Sequence, residues 1–300
     1  MLKDRLRNLA LASGFDAVGF ARAEPVDQET AQHFREWIAT DHQASMAYMK
    51  ENIEKRLDPS LLLSEAKTVI VLLSNYHRPN PTETLEAGKI ARYAGGRDYH
   101  KIIRKGLKDL RRKIEDDFPD SKNWFAVDTS PILERYWAER AGVGWVGKNT
   151  MLINRGLGTW TFIGILLTSL DILPDQPHAD HCGSCTKCLE ACPTQAFPGP
   201  GVLDSNRCVS YWTIEHRGDF PENVDLHGWF FGCDDCQTAC PWNRFAKPTG
   251  EPDYDLRKPF GSSDLVRWAE ITRGEWDEIT RGTAIRRAGY EGFRRNARVL

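Results

Sequence analysis

The chain has 300 residues, of which 41% are hydrophobic and 27% are charged, and its net charge at pH 7 is −2. This composition is typical of a soluble globular protein. The balanced charge excludes a globally basic nucleic-acid-binding protein, so that any basic surface must be local.

The chain carries no sign of export or of membrane insertion. The apolar residues of the N-terminus are helically spaced and alternate with charged residues, unlike those of a signal peptide. The longest apolar run, near residues 161–173, is too short to span a bilayer and is interrupted by Asp171. We therefore expect a cytoplasmic protein that does not contact membranes.

Helical and strand patterns alternate over the first half of the chain. Residues 1–12 and 101–114 have helical apolar spacing, whereas the apolar runs at 16–22, 68–75, 124–128 and 160–168 predict strands. A further helix is predicted after residue 128, with Ser130 as its N-cap, Pro131 as its first residue and Gly142 as its stop. The alternation predicts an α/β (α+β layered) domain over residues 1–175.

The second half divides into two further segments. A stretch rich in proline and acidic residues at 171–181 reads as a linker, and residues 176–248 contain all the cysteines. Residues 249–300 have helical patterns, the last of which runs to Leu300 without a capping glycine or asparagine. We interpret this helical region as the start of a helical-repeat domain.

All eight cysteines lie between Cys182 and Cys240. In a reducing compartment, such clustering favours metal binding over disulfide formation. The first run, HCGSCTKCLEACP at 181–193, has the spacing C-x2-C-x2-C-x3-C-P of bacterial ferredoxins. The second run, GCDDCQTACP at 232–241, is one cysteine short, and only Cys208 is left to complete it.

In two-cluster ferredoxins the last cysteine of each run binds the other cluster. The predicted ligands are Cys182, Cys185, Cys188 and Cys240 for cluster 1, and Cys192, Cys208, Cys233 and Cys236 for cluster 2. A pair of structural zinc sites is the alternative interpretation. Since two iron–sulfur clusters carry electrons but perform no substrate chemistry, the first 170 residues should hold what receives the electrons.

Familiar cofactor motifs are absent from the sequence. There is no G-x-G-x-x-G dinucleotide fingerprint and no P-loop. The pair Asp98-x-His100 is similar to a cobalt-ligand motif but lacks the glycine that should follow, which favours an ordinary surface histidine.

Several segments together resemble the epoxyqueuosine reductases. They are EKRLDP (54–59), RYAGGRDYHK (92–101), the stretch 127–160 and both cysteine runs. The resemblance implies a cobalamin-dependent iron–sulfur enzyme that reduces the epoxide of epoxyqueuosine to the alkene of queuosine at the wobble position of tRNA. It also implies base-off cobalamin without a protein histidine on cobalt, which agrees with the missing glycine after His100. The expected partners are tRNA and an external electron donor, and the expected state is a monomer.

Two other functions remain open. A reductive dehalogenase, from a related family, would act on a small halogenated substrate. A non-enzymatic two-cluster electron carrier would need no catalytic residue.

The resemblance makes Asp128 the catalytic proton donor to the opened epoxide. The alternative is a carboxylate that only stabilises a helix terminus, where the helix dipole would lower its pKa. Burial would raise that pKa again.

The resemblance also suggests cofactor contacts. They are Arg56, Asp128, Lys148, Asn149, Leu152, Ile163, Ser210, Tyr211, Asp234 and Asp235. The alternatives are a surface charge for Arg56, a solvated turn for Lys148 and Asn149, and plain core packing for Leu152 and Ile163.

Two local excesses of basic residues suggest contacts with an RNA backbone. Residues 101–114 contain seven basic residues against Asp109, and residues 281–300 contain six arginines against Glu291. We predict phosphate contacts at Lys105, Lys108 and Arg112. Arg97, Tyr99 and His100 are predicted to contact an extruded nucleotide by charge and stacking. The alternative for the basic helix is a solvated face.

Overall fold

The computed structural model describes residues 2–78, 88–261 and 265–300. The strands are β1 (Ala17–Arg22), β2 (Thr68–Asn75), β3 (Lys89–Ile90), β4 (Asn123–Ala126), β5 (Trp145–Val146), β6 (Leu152–Ile153), β7 (Thr161–Thr168) and β8 (Trp229–Phe231). The helices of the first half are α1 (Leu2–Leu11), α2 (Gln28–Ala39), α3 (Ile53–Leu57), α4 (Tyr99–Asp117) and α5 (Glu134–Arg140). Those of the second half are α6 (Lys187–Glu190), α7 (Val209–Ile214), α8 (Asp235–Thr238), α9 (Lys258–Gly261), α10 (Leu265–Glu270), α11 (Arg273–Thr280) and α12 (Gly289–Arg298).

A four-stranded sheet of order β1-β2-β7-β4 forms the centre of the first half. On one face, Ile70 and Leu72 of β2 pack in a core with α1 and α4, and on the other Val71 packs in a core with Trp137 of α5. The predicted apolar face of α4 is confirmed, since Ile103, Leu107, Leu110 and Ile114 are all buried.

Every strand pair in this sheet is antiparallel. The fold is therefore a mixed α+β arrangement, with helices on both faces of an antiparallel sheet. Strands covered on both faces read as continuous apolar runs, and such runs carry no information on strand direction.

The helix predicted after β4 begins later than expected. The N-cap is Leu133 without a side-chain cap, so the prediction of Ser130 and Pro131 as the helix start is wrong. Instead, the Glu134 carboxylate in the first turn accepts a hydrogen bond of 2.6 Å from the Asp128 amide. This contact holds residues 127–133 as an irregular loop between β4 and α5.

The later segments pack against the first half through shared cores. β3 pairs in parallel with β8, and Ile90 shares an apolar core with Phe230 and with Phe293 of α12. Tyr254 lies in the core beneath the main sheet and its hydroxyl is 2.8 Å from the Ser74 hydroxyl. Among the described residues, none of the helices is both long enough and apolar enough to cross a membrane.

Candidate active site and metal centres

The eight cysteines are free thiols, and their electrostatic influence on one another suggests two groups of four. Burial is the main cause that raises the pKa of Cys240 to about 11, and the charges of the other thiols of its group add to it. Burial likewise raises the pKa of Cys236, to which Cys208 and Cys192 contribute. Such electrostatic influence requires neighbouring sulfurs. The groups are Cys182, Cys185, Cys188 and Cys240, and Cys192, Cys208, Cys233 and Cys236. The crossed pairing that the spacing predicts would use these same groups, and it stays a prediction.

Two consecutive residues connect the groups. Lys148 Nζ donates to the carbonyl oxygens of Gly183 (2.6 Å) and Cys185 (3.0 Å) in the first run. Asn149 Nδ2 donates to the carbonyl oxygen of Cys236 in the second run, at 3.0 Å. Both side chains therefore fix the loops that carry the thiols.

Asp128 lies on the loop between β4 and α5 with a backbone φ of +56°. Few residues other than glycine adopt this left-handed conformation, and aspartate and asparagine tolerate it best. Its side chain is 60% exposed, yet burial is the largest influence on its pKa. The region around this side chain, bounded by Tyr99, His100 and Glu134, is called the recess below.

The start of α4 contributes a chain of polar groups to this recess. Asp98 Oδ1 lies 2.7 Å from His100 Nδ1, and His100 Nε2 lies 3.3 Å from Asp128 Oδ2. The Tyr99 hydroxyl donates to the same Asp128 oxygen at 2.8 Å. The Tyr99 ring stacks on Phe162, with ring centroids 4.3 Å apart, which fixes the position of its hydroxyl.

These contacts set the protonation of the chain. Burial lowers the pKa of His100, but its hydrogen bonds to Asp128 and Asp98 outweigh burial and raise it to about 9. Burial raises the pKa of Asp128, but hydrogen bonds from His100 and Tyr99 outweigh burial and lower it below its usual value. At neutral pH, a carboxylate at Asp128 therefore faces an imidazolium at His100.

Glu134, in the first turn of α5, is a second protonated group next to residue 128. Burial, together with the charge of Asp128, raises the pKa of Glu134 to about 8. Its carboxyl group is therefore largely protonated at neutral pH. Two proton-bearing groups therefore contact residue 128, His100 at its carboxylate and Glu134 at its backbone amide.

Residues from distant segments form the opposite wall. Arg287 makes a two-pronged ion pair with Glu215, with distances of 2.9 and 2.8 Å, and its guanidinium lies 5.7 Å from the Tyr48 ring. Burial, with the charges of Glu215 and Asp128, raises the pKa of Tyr48 to about 12. Burial, with the charges of Asp128 and Asp234, raises the pKa of Tyr93, whose ring lies edge-on to that of Tyr99 with centroids 6.0 Å apart.

The predicted cofactor contacts fall into two sets. Asn149, Leu152 and Asp234 are 2%, 3% and 2% exposed. All three side chains are deeply buried, and their roles as cofactor contacts stay predictions. Asp234 accepts a hydrogen bond of 2.8 Å from the Arg92 amide.

The remaining predicted cofactor contacts are at least partly accessible or adjoin the recess. Arg56 Nη2 donates to the carbonyl oxygen of Tyr48 at 2.9 Å. The amides of Ser210 and Tyr211 face the Cys208 thiol. Asp235 accepts a hydrogen bond from Trp229 at 3.0 Å. Ile163 packs beside the core on the α5 face of the sheet.

Some of the residues predicted to contact RNA are paired with carboxylates, whereas others are exposed without such a pair. Tyr99 and His100 contact the Asp128 carboxylate, as described above. Arg97 forms an ion pair with Asp253 at 2.8 Å. Lys105 and Lys108 are exposed on α4. Arg112 pairs with Asp109 (3.0 Å) and Asp116 (3.4 Å), which reduces its net contribution to a basic surface.

Five residues of the recess were not identified individually from the sequence: Tyr48, Tyr93, Glu134, Glu215 and Arg287. All but Glu134 come from segments far from residue 128, and no spacing rule connects them. Glu134 could have been found, because it occupies the first helical turn after Asp128.

Comparisons with known proteins agree with this architecture. Residues 56–129 match the family described as epoxyqueuosine reductase QueG, DUF1730, and residues 181–243 match the 4Fe-4S double cluster binding domain. An epoxyqueuosine reductase of Synechocystis is 45% identical over 92% of this chain and 97% of its own length. One from Gloeobacter violaceus is 40% identical over 98% of this chain and 94% of its own.

The chain belongs to the epoxyqueuosine reductase family.

Solved structures of epoxyqueuosine reductases share the fold. One in complex with an epoxyqueuosine-modified tRNA-Tyr stem loop has a TM-score of 0.89 at 29% identity, over 99% of this chain and 80% of that one. One from Bacillus subtilis, with a catalytic aspartate loop swung out of the active site, has a TM-score of 0.90 at 29% identity and the same coverage. A catabolic reductive dehalogenase has a TM-score of 0.50 at 16% identity, over 97% of this chain and 37% of its own, which indicates a related fold only.

Proposed function

We propose that this protein reduces epoxyqueuosine to queuosine at the wobble position of tRNA, with two 4Fe–4S clusters and cobalamin as cofactors. The observation that carries the proposal is the recess in which two proton-bearing groups contact residue 128, beside eight free thiols in two groups. Membership of the family and the stem-loop complex of a relative support it.

The chemistry of the thiols fits two iron–sulfur clusters. We assign each cluster the four cysteines of one group as described above. The Ala196 amide donates to Cys192 Sγ at 3.2 Å, and amide donors to sulfur are a usual means of tuning cluster potential. The clusters supply electrons one at a time, since each accepts a single electron.

The side chains around the recess include both aromatic and charged groups, as a cofactor with apolar and polar parts requires. Tyr93 and Tyr99 offer aromatic surface, whereas Asp128, Glu215 and Arg287 offer charged groups. We propose that Tyr48, Tyr93, Ser210 and Asp128 contact cobalamin and that Arg56 holds the turn carrying Tyr48. When bound, cobalamin supplies reduced cobalt as the electron donor to the epoxide.

The protein's own contribution is the supply of protons. Conversion of an epoxide to an alkene and water consumes two electrons and two protons. His100 and Glu134 each hold one proton at neutral pH: His100 lies against the Asp128 carboxylate, whereas Glu134 accepts a hydrogen bond from the Asp128 amide. Asp128 passes the proton of His100 to the leaving oxygen, and Glu134 supplies the second proton directly. The Tyr99 hydroxyl orients the Asp128 carboxylate. General acid catalysis of this kind contributes roughly 10²–10⁴-fold in rate.

The proposal includes the cellular setting. The substrate is tRNA, which places the protein in the cytoplasm, and an external donor reduces the clusters. The protein acts as a monomer, with the recess built within one chain.

The test is turnover of a defined RNA. Protein purified without oxygen and loaded with iron, sulfide and cobalamin is incubated with a reductant and an anticodon stem loop that contains epoxyqueuosine. Mass spectrometry of the nucleosides should show loss of one oxygen atom that depends on both the reductant and cobalamin. Absence of conversion by protein with verified iron and corrinoid content would overturn the proposal, as would full occupancy by zinc.

A further inference from the structure

A groove of about 350 Å³ lies beside the catalytic recess. Its lining includes Arg97, Asp253, Asp255, Arg257, Arg281 and Gly282. The amide of Asp98 donates to the carbonyl oxygen of Gly282 at 2.8 Å. The wall of the groove is therefore continuous with the chain from Asp98 through His100 to Asp128.

Both carboxylates of the groove are already neutralised. Asp253 pairs with Arg97 at 2.8 Å, and Asp255 pairs with Arg78 at 2.9 Å. Asp253 thereby fixes the guanidinium of Arg97 at the groove.

Two further guanidinium groups have no such partner. Arg257 Nη1 donates to the carbonyl oxygen of Arg281 at 2.6 Å. Within the parts of the chain that the structure describes, no carboxylate lies within ion-pair distance of either Arg257 or Arg281. Both side chains are exposed. The groove thus presents uncompensated positive charge.

We propose that this groove binds backbone phosphates of the RNA strand next to the nucleotide that enters the recess. The inference rests on the proposed function, which requires a nucleotide to leave its stack and reach Asp128. The phosphates that flank such a nucleotide stay at the rim of the recess, where the groove lies. Planar guanidinium groups match phosphate oxygens and bind them through paired hydrogen bonds.

Two of the arginines in this groove belong to segments that the sequence already connects with RNA binding. Arg97 was predicted to contact RNA, and Arg281 belongs to the arginine-rich C-terminal stretch. Other arginines of that stretch serve the fold. Arg295 is 8% exposed and donates to the carbonyl oxygens of Gly218 and Trp212 at 2.8 and 3.0 Å.

The experiment compares three variants of the cofactor-loaded protein. Arg281→Gln removes an exposed side chain and keeps the backbone carbonyl that Arg257 uses. The double variant Arg257→Gln with Arg281→Gln removes both charges. Arg140→Gln, at the end of α5, removes an exposed charge on the opposite face of the sheet and is the matched control.

Affinity for a fluorescent anticodon stem loop is measured over a range of salt concentrations. For single-stranded contacts, each lost phosphate contact reduces the slope of log K against log salt by roughly 0.7. We expect a reduction of roughly 0.7 for Arg281→Gln, of roughly 1.4 for the double variant, and none for Arg140→Gln. Iron content and circular dichroism establish that each variant is folded.

Unchanged affinity and slope in Arg281→Gln and in the double variant would overturn the groove assignment. An equal reduction in Arg140→Gln would also overturn it, because the effect would then reflect net charge alone. Failure of the proposed function is a different result: the parent protein would bind the stem loop in the groove but would not remove oxygen from epoxyqueuosine.

Discussion

The thiol groups and the Asp128 recess are two sites built in opposite ways. Seven of the eight thiols come from two short runs, 182–192 and 233–240, and only Cys208 lies apart. The recess draws Tyr48, Tyr93, Asp128, Glu215 and Arg287 from segments spread over most of the chain. A cluster requires ligands at fixed short spacing, whereas a recess requires only that distant segments pack together.

The comparison predicts that loss of one thiol damages one cluster and leaves the other site intact. Replacing Cys208 with serine should abolish turnover and leave about half of the iron, because only the second group uses this cysteine. Iron analysis and EPR spectroscopy measure this outcome. Ser210→Ala is the control for iron content alone, since it keeps the backbone amide that faces Cys208. Full iron content, or loss of all iron, in the Cys208 variant would contradict the assignment.

A change in the recess should have the reverse effect and spare the clusters. Asp128→Asn keeps the size of the side chain and tolerates the left-handed backbone, but it cannot transfer a proton. We expect a loss of roughly 10²–10⁴-fold in single-turnover rate. Iron and corrinoid content should be unchanged. A fully loaded variant with a rate near that of the parent would show that Asp128 is not the acid.

The single-turnover rate should depend on pH through two protonated groups, Glu134 and His100. The pKa values of Glu134 and His100 are raised to about 8 and about 9, so both groups lose their protons as pH rises. The single-turnover rate should therefore fall as pH increases through this range. Glu134→Gln keeps an acceptor for the Asp128 amide but carries no transferable proton, and it should lower the rate and remove the fall near pH 8. A single-turnover rate of the parent protein that does not change with pH over this range would contradict the proposal that these two groups supply the protons.

The smallest expected effect concerns the basic surface of α4. Lys105 and Lys108 are exposed, whereas Arg112 is held by Asp109 and Asp116. Changing both lysines to glutamate should weaken stem-loop binding several-fold, because each phosphate contact adds a salt-dependent contribution. Arg112→Gln should change affinity by no more than about two-fold, since exposed charges of this kind contribute little. Fluorescence anisotropy measures both, and equal losses would contradict the distinction.

Patterns with a fixed period predicted the local structure well. The apolar face of α4 and the strands near 68–75 and 160–168 are present at the expected positions. The predicted start of α5 was wrong. Ser130 and Pro131 are residue types that favour a helix start, but the helix begins at Glu134, whose carboxyl group accepts a hydrogen bond from the Asp128 amide. The strand directions could not be predicted, since a strand buried on both faces has the same apolar pattern in either direction.

The cysteine runs and the family resemblance that pointed to Asp128 are visible in the sequence alone. Ligand spacing is a property of a short segment, so it can be read before any tertiary structure is known. The polar groups that surround Asp128, and their protonation, follow only from how distant segments pack. His100 looked like an ordinary surface histidine, yet contacts with Asp98 and Asp128 keep it charged. The groove beside the recess likewise follows from tertiary structure alone. Arg97, Arg257 and Arg281 meet only when the C-terminal segments pack against the start of α4.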